Sequence, residues 1–422
     1  MFKTLRNAWK IEELRKKILY TLFMLLIYRL AGVIPVAGID TAAVASSLEQ
    51  YSLLGFMSMM TGNAFSQMTI MAMGITPYIN SSIIMQLLTV AIPYLENLQK
   101  EGEEGRKRIA QYTRYLTVVL GFIQAVGLVA GMGAMQSDTF GSPFLTSCVI
   151  GISMAAGSTL AMWLGERITE KGVGNGVSLL IFAGIISSLF TWSVDGITSL
   201  FTNPFTIGAL LIGIAVIVVV LIMVTAVTFV DMGERRVPVQ YAKRVVGRKM
   251  YGGQSTHIPM KVNSSGVLPL IFAYSIMQFP STIMAFWPKS GVSTWWNENF
   301  ATSAWYHLVL AVMILFFAYF YTSITFNPIE VSKNMQQNGG TIPGIRQGKP
   351  TSDYLARISS RITLFGGVFL AVLATVPSVG QQLAGIQLPF AASSLLIAVS
   401  VSLETTRQIE SQMLMRHYKG FL

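Results

Sequence analysis

Apolar runs of membrane-spanning length alternate with short charged stretches along the whole chain. An α-helix needs roughly 20 consecutive apolar residues to cross a hydrocarbon core about 30 Å thick, and these runs reach that length. The pattern therefore predicts an all-α integral membrane protein with ten transmembrane helices. The predicted spans cover residues 18–36, 75–94, 115–135, 145–164, 173–193, 205–230, 266–287, 305–326, 362–379 and 388–403.

The composition excludes the common soluble classes. Of the 422 residues, 52% are hydrophobic and 12% are charged, whereas soluble proteins carry roughly 25% charged residues. The single cysteine, Cys148, allows no internal disulfide and no multi-cysteine metal site. The histidines lie far apart, and Gly172-Val-Gly-Asn-Gly176 lacks the Lys-Ser or Lys-Thr of a phosphate-binding loop. No metal, cofactor or enzymatic activity is therefore expected.

The basic residues are distributed unequally between the two sides that ten spans define. Of the 30 Lys and Arg residues, only Lys289 falls in an outer loop, and only Arg29 lies in the outer half of a span. All the others lie in segments on the same side as the two termini. Because cytoplasmic loops carry an excess of Lys and Arg, both termini are predicted to be cytoplasmic. This asymmetry also accounts for the net charge of +11 without a nucleic acid partner.

The stretch between Glu49 and Glu96 contains no charged residue. It is too long for one crossing and too short for two crossings with a loop. We therefore expect a short re-entrant helix over 56–72, a break between Gly74 and Pro77, and then a full span. Non-helical backbone at membrane depth is tolerated only where it is buried in protein or lines a water-filled cavity, so the break indicates a pathway.

The ten spans divide into two sets of five. The break before Pro77 falls in the second span of the first set, and Pro269 and Pro280 fall in the second span of the other. Because five is odd, the two halves would have inverted orientations, as in transporters whose interrupted helices mark the pathway. A proline kink without a role is the alternative. The predicted parts are a cytoplasmic segment 1–17, an N-terminal half 18–193, an external linker 194–204, a C-terminal half 205–403 and a cytoplasmic tail 404–422.

Aliphatic pairs, and not ionisable groups, occur at helical spacing inside the spans. Ile79 and Ile83 form one such pair, and Ile181 and Ile185 form another. Residues at i and i+4 share one helix face, so each pair could point into a common pathway. Lipid-facing or packing isoleucines are the alternative interpretation.

Two predicted cytoplasmic loops, 231–263 and 327–360, are far longer than the usual connection between neighbouring helices, which has about two to eight residues. Both are basic and contain strand and turn patterns, such as 236–241 and 339–344. Long, ordered, basic loops are typical of docking surfaces. A solvated basic collar is the alternative.

Two classes of membrane protein can be weighed from the spans alone. A secondary solute transporter would suit ten spans in inverted halves, but its spans should bury ionisable groups that bind substrate or relay protons. The spans here offer almost none beyond Arg29. An intramembrane enzyme is disfavoured because no span carries a nucleophile and a base at helical spacing.

Several short motifs, in consistent order, connect the chain to a known family. Along essentially its whole length the sequence resembles the SecY family of bacterial protein-translocation channels. The outer loop 290–303 is the one segment without a match in that resemblance. The motifs are Gly74-Ile-Thr-Pro-Tyr-Ile79, Lys100-Glu-Gly-Glu103, Gln111-Tyr-Thr-Arg114, Gly174-Asn-Gly176, Tyr241-Ala-Lys-Arg244, Gln254-Ser-Thr-His257 and Pro343-Gly-Ile-Arg346.

The resemblance implies two inverted five-helix halves around a central pore with an aliphatic constriction and a plug on the outer side. It also implies a lateral gate between spans 2 and 3 on one side and spans 7 and 8 on the other. The constriction is implied to consist of Ile79, Ile83, Ile181, Ile185, Ile271 and Ile397. The plug, at about 56–72, is implied to include Phe56, Met60, Phe65 and Ile70.

The resemblance further implies a non-enzymatic channel in the bacterial cytoplasmic membrane. Unfolded secretory chains would pass through it, and apolar segments would leave sideways into the lipid bilayer. The implied partners are the small membrane subunits SecE and SecG, the SecA ATPase motor, the ribosome and signal sequences. The implied docking residues are Arg244, Arg248, Arg346 and Lys349.

Overall fold

The computed structural model describes residues 2–39, 61–62, 64–131, 142–202, 207–241, 244–246, 249–251, 255–263, 266–284, 290–301, 303–384 and 392–419. Helices dominate. They are α1 (Phe2–Lys10), α2 (Glu12–Ala31), α3 (Thr76–Ala91), α4 (Pro93–Lys100), α5 (Glu103–Gly131), α6 (Pro143–Lys171), α7 (Gly176–Thr202), α8 (Ile207–Met232), α9 (Leu268–Met284), α10 (Gly291–Trp295), a π-helix (Trp296–Phe300), α11 (Ala304–Thr325), α12 (Pro328–Gln337), α13 (Lys349–Ala384) and α14 (Ala392–Lys419). The strands are β1 (Glu234–Tyr241), β2 (Arg244–Val246), β3 (Lys249–Tyr251), β4 (Ser255–Lys261) and β5 (Gly340–Thr341).

Each predicted span coincides with a helix, in order α2, α3, α5, α6, α7, α8, α9, α11, α13 and α14. Within the described residues, four helical stretches are long and apolar enough by themselves to cross a membrane: 103–129, 144–171, 304–337 and 349–376. A fifth candidate is the pair α3 and α4, which are bent by 99° at Ile92. Pro93 at the start of α4 explains the bend, because proline is favoured in the first turn of a helix and the residue before it avoids the helical conformation.

The described residues within 1–216, 274–306 and 386–422 form one compact unit. In it α6 packs against α2, α5 and α7, α3 packs against α5, and α14 packs against α1 and α7. One apolar cluster joins the segment after Gly62 to α5 and α6, through Phe65, Met68, Ala125 and Met154. A second cluster joins α1, the start of α2, the α6–α7 turn and α14.

The described residues within 217–273 and 307–385 form a second compact unit. Its non-helical part is an antiparallel sheet in the order β4-β1-β5, in which Val237 pairs with Ile258. The sheet packs on α12 and α13 around a small apolar core of Val237, Val239, Met260, Met335, Ile342 and Leu355. A strand was predicted over 236–241, and β1 confirms it.

The strand and turn pattern predicted at 339–344 is confirmed by β5 and the turn after it, while α12 and the first turns of α13 occupy most of the rest of 327–360. Asn327 explains the start of α12, because its side-chain oxygen accepts hydrogen bonds from the backbone N–H groups of Ile329 and Glu330. The predicted re-entrant helix over 56–72 differs from the structure, because its described residues form turns. The predicted division into halves at 194–204 stays a prediction.

Candidate pore and docking surface

The first pair of predicted pore residues lies on α3. This helix begins at Thr76 with Pro77 in its first turn, as the predicted break requires. Ile79 and Ile83 are both buried, and they lie one turn apart on the same face. The other end of the helix differs, since Val90 is exposed. The burial of Ile79 and Ile83 argues against lipid-facing positions, while packing inside the bundle stays the alternative to a pore-lining role.

The second pair lies on α7, where two adjacent isoleucines have opposite environments. Ile185 is 0% exposed, whereas Ile186 is 44% exposed. Ile181, one turn before Ile185, is also buried. Since α14 packs against α7, the helix that carries Ile397, itself buried, is brought to the helix that carries this pair. Ile271 on α9 belongs to the second unit and is buried as well.

The plug region differs in structure from the predicted helix. Thr61 to Ala72, apart from residue 63, runs as turns interrupted by a β-bridge between Thr69 and Pro35. Phe56 and Met60 lie outside the described residues. Gly62 and Gly74 both have positive φ, which ends helical geometry there at little cost. The hydroxyl of Thr61 accepts a hydrogen bond from the N–H of Phe65, which offers the backbone an alternative to a helix.

This segment is held by backbone pairing and by an apolar cluster. The N–H of Val36 donates to the carbonyl of Met68 at 3.0 Å, and the N–H of Ile70 donates to the carbonyl of Ile34 at 3.0 Å. Phe65 is fully buried in the cluster with α5 and α6, and Ile70 packs against it. The segment thus has a defined position in the first unit.

A glycine in α6 allows the backbone of this segment to approach the helix. A Cβ atom at Gly157 would overlap the carbonyl oxygen of Ile70 and would lie 2.6 Å from its carbonyl carbon. Any larger residue at 157 therefore displaces either the segment or the helix.

Arg29 is a site residue to which the sequence analysis gave no role. Its guanidinium donates from Nη1 to the carbonyl oxygen of Gly62 at 3.0 Å and from Nη2 to the hydroxyl of Ser187. It thereby connects α2, the plug segment and α7, two residues beyond Ile185. The available signal was its position, because ionisable residues inside spans are rare and usually functional.

The prolines predicted to interrupt the spans lie in two kinds of position. Pro280 is inside α9, where it removes a backbone hydrogen bond, whereas Pro269 lies in the first turn of that helix. Only Pro280 is therefore placed to bend α9.

Two of the four predicted docking residues are described with their side chains. Arg346 and Lys349 are both exposed. Arg244 begins β2 and its side chain lies outside the described residues, as does all of Arg248.

The backbone around Arg346 is held in place. Its carbonyl accepts a hydrogen bond from the hydroxyl of Thr351 at 2.8 Å, and the hydroxyl of Ser332 donates to the carbonyl of Gly348 at 2.8 Å. The turn after β5 thus presents a charged side chain from an ordered backbone beside the small sheet.

Solved structures of protein-conducting channels have this fold. One described as the structure of a protein conducting channel matches with a TM-score of 0.69 at 20% identity, over 94% of this chain and 92% of that one. A SecY structure described for its plug domain also gives 0.69, at 21% identity and the same coverage. Sec61 in a canine ribosome–channel complex gives 0.65, at 20% identity over 94% and 92%. The chain therefore has the fold of a polytopic channel of this class.

The sequence comparisons identify the family. The SecY family model matches residues 69–406. The protein translocase subunit SecY of Streptomyces griseus is 44% identical over 100% of both chains. That of Corynebacterium glutamicum is 43% identical over 99% of both. The chain belongs to the SecY family, a family of translocase subunits and not of enzymes.

Proposed function

We propose that the chain forms the channel of a bacterial protein translocase, in which unfolded secretory polypeptides cross the cytoplasmic membrane through a constriction of six isoleucines. The observation that carries this proposal is their burial. All six are between 0% and 7% exposed, while Ile186 beside them in sequence is 44% exposed. Family membership supports the same function, since the relatives are translocase subunits.

The constriction acts physically and not chemically. A narrow aliphatic passage loses its water, so it blocks ions without binding them. A polypeptide can enter this dry passage and move through it, because isoleucine side chains bind the polypeptide neither by charge nor by hydrogen bonds. The turn segment around Phe65 closes the resting channel as the plug, and its attachment to Arg29 stabilises the closed position.

Apolar segments leave the channel sideways into lipid. The gate is formed by α3 and α5 on one side and α9 and α11 on the other, as the family resemblance implies. A segment of roughly 20 apolar residues is stable in the bilayer because a helix satisfies all its backbone groups. Secretion and membrane insertion are thus two outcomes of one partition between pore and lipid.

The docking surface binds the partners that drive the secretory polypeptide through the channel. A Sec61 channel is described in a complex with a ribosome, which supports a ribosome as one partner. The SecA motor, the small subunits SecE and SecG and signal sequences complete the proposed set. The exposed Arg346 and Lys349 give the surface a basic character that suits acidic or phosphate-bearing partners. Both termini face the same cytoplasmic compartment as this surface, as the basic residues indicate.

The two adjacent isoleucines of α7 provide a matched test. A photoreactive amino acid is placed at Ile185 or at Ile186, and a secretory chain is arrested during translocation in membrane vesicles. We expect adducts with the arrested chain from position 185 and with lipid from position 186. Equal polypeptide adducts from both positions, or none from 185, would refute the proposed pathway.

A further inference from the structure

The segment 290–303, predicted to be an outer loop, is built around aromatic side chains. Trp296 and Phe300 pack with ring centroids 4.6 Å apart, and Trp295 stacks on Phe300 at 6.0 Å. Phe300 in turn meets Tyr306 edge-on at 6.1 Å. The aromatic cluster gives this short segment a fixed shape.

The cluster is attached to the outer end of the seventh predicted span. The indole N–H of Trp296 donates to the hydroxyl of Ser281, which lies on α9 next to Pro280, at 2.9 Å. The start of α10 is capped, because the Ser290 hydroxyl accepts from the N–H of Ser293 at 3.2 Å. The segment is therefore attached to α9 through the hydrogen bond between Trp296 and Ser281.

The two neighbouring tryptophans have different roles. Trp296 is partly buried and hydrogen-bonded to Ser281, whereas Trp295 is 54% exposed and Val292, one turn before it, is 62% exposed. Trp305, at the start of α11, is 68% exposed. Glu298 is the only charged residue between 290 and 303. The exposed side chains of the described residues are thus largely apolar in a segment whose sequence carries one charge.

The helix that follows this segment, α11, carries its own row of exposed apolar side chains. Beyond Trp305, the exposed residues Leu308, Val312 and Phe316 recur at helical spacing along that helix. Tryptophan is enriched where a bilayer meets water, because its ring is apolar and its N–H is polar. Exposed tryptophans at the start of a helix with an exposed apolar stripe therefore indicate lipid, and not a protein partner, as the occupant.

We propose that the segment 290–303, together with Trp305, is an interfacial anchor that lies in the headgroup layer of the bilayer with Val292 and Trp295 towards the lipid. The anchor fixes the depth of the outer end of α9. The proposal rests on the proposed function only in requiring that the chain spans a bilayer.

Spin labels at single cysteines test the anchor in the full complex, reconstituted into vesicles of phosphatidylcholine and phosphatidylglycerol. Cys148→Ala provides the background, and labels are placed by Val292→Cys and Thr294→Cys. Thr294 is exposed on the opposite side of α10, so it is the matched control. Collision with oxygen, which concentrates in lipid, is compared with collision with a water-soluble nickel complex.

We expect oxygen collisions to dominate at position 292 and nickel collisions to dominate at position 294. Dominant nickel collisions at both positions would overturn the anchor, and so would exclusion of both reagents at 292, which would indicate a second copy of the chain or another subunit there. A label at Val312→Cys separates the two proposals. If position 312 is accessible to oxygen but 292 is not, the anchor alone fails, and if 312 is accessible to nickel, the membrane-spanning function fails.

Discussion

The guanidinium of Arg29 donates a hydrogen bond to the backbone carbonyl of Gly62, with 3.0 Å between Nη1 and the oxygen. Its other terminal nitrogen donates to the hydroxyl of Ser187. No carboxylate among the described residues forms an ion pair with Arg29. Arg29, which lies within a span, thus donates hydrogen bonds to one carbonyl and one hydroxyl, and the carbonyl belongs to the proposed plug.

Replacing Arg29 should loosen the closed channel. A hydrogen bond to a charged group contributes about 1.5–3 kcal/mol, and each 1.4 kcal/mol is about tenfold in an equilibrium. In Arg29→Gln we therefore expect the displaced fraction of the plug segment to rise by roughly tenfold or more. The measurement is the ion conductance of resting channels in planar bilayers.

Ser187→Ala is the control for this prediction, since it removes the hydroxyl that accepts one Arg29 hydrogen bond and leaves the bond to Gly62 in place. Its conductance should lie between those of the parent chain and Arg29→Gln. Unchanged conductance in Arg29→Gln would show that Arg29 does not hold the plug segment.

Substitution of Gly157 by a larger residue should destabilise the protein. In Gly157→Ala the new methyl group meets the backbone of Ile70, which cannot move aside as a flexible side chain can. Overpacking of this kind costs about 1–3 kcal/mol. We expect a lower unfolding temperature in detergent and, from the displaced segment, a higher resting conductance.

Gly121→Ala is the matched control, because Gly121 is also a buried helical glycine. A Cβ there meets Pro77 at an ordinary 3.6 Å and the Cα of Ala155 at 4.0 Å. Equal unfolding temperatures for the two variants would contradict the proposed contact between α6 and the plug segment.

The spans could be predicted because hydropathy and the Lys and Arg asymmetry are properties of sequence alone. Each predicted span coincides with a helix, and the start of α3 at Thr76 agrees with the predicted break. The bend at Ile92 was not predicted, although Pro93 marks it. Proline is common in membrane helices, so its presence does not show which helices bend sharply.

Burial inside the bundle could not be predicted from residue type. Ile185 and Ile186 are identical in chemistry and adjacent, and only the packing of α7 distinguishes them. The turns of the plug segment were missed for a related reason. They depend on pairing with Ile34 and Val36, which lie about 30 residues earlier in the chain, and local propensity does not report such pairing.

Polar substitution in the constriction should wet the closed pore. In Ile83→Ser and in Ile397→Ser a hydroxyl replaces an aliphatic group that repels water. We expect greater ion leakage and export of proteins with weak signal sequences, measured by conductance and by a secretion assay in cells. Ile186→Ser is the control, and it should leave both unchanged. Tight channels with normal signal selectivity in Ile83→Ser would count against the ring.

Charge reversal at Arg346 should slow export without opening the channel. The side chain is exposed on a turn whose backbone is fixed by Thr351, so Arg346→Glu changes the surface and not the fold. Exposed charges at an interface act mainly on the rate of association, and steering changes this rate on the order of tenfold or more. Export driven by a soluble motor should then need a higher motor concentration for the same rate, with the greatest defect at low salt.

Arg106→Glu changes the net charge by the same amount at an exposed position on α5. It therefore separates the loss of a local docking contact from the effect of overall charge. We expect the concentration dependence to shift in Arg346→Glu alone, while the resting conductance of both variants stays low. A parallel shift in Arg106→Glu would assign the effect to overall charge. Normal motor dependence in Arg346→Glu would remove this residue from the docking surface and leave Arg244, Arg248 and Lys349 as its remaining basic contacts.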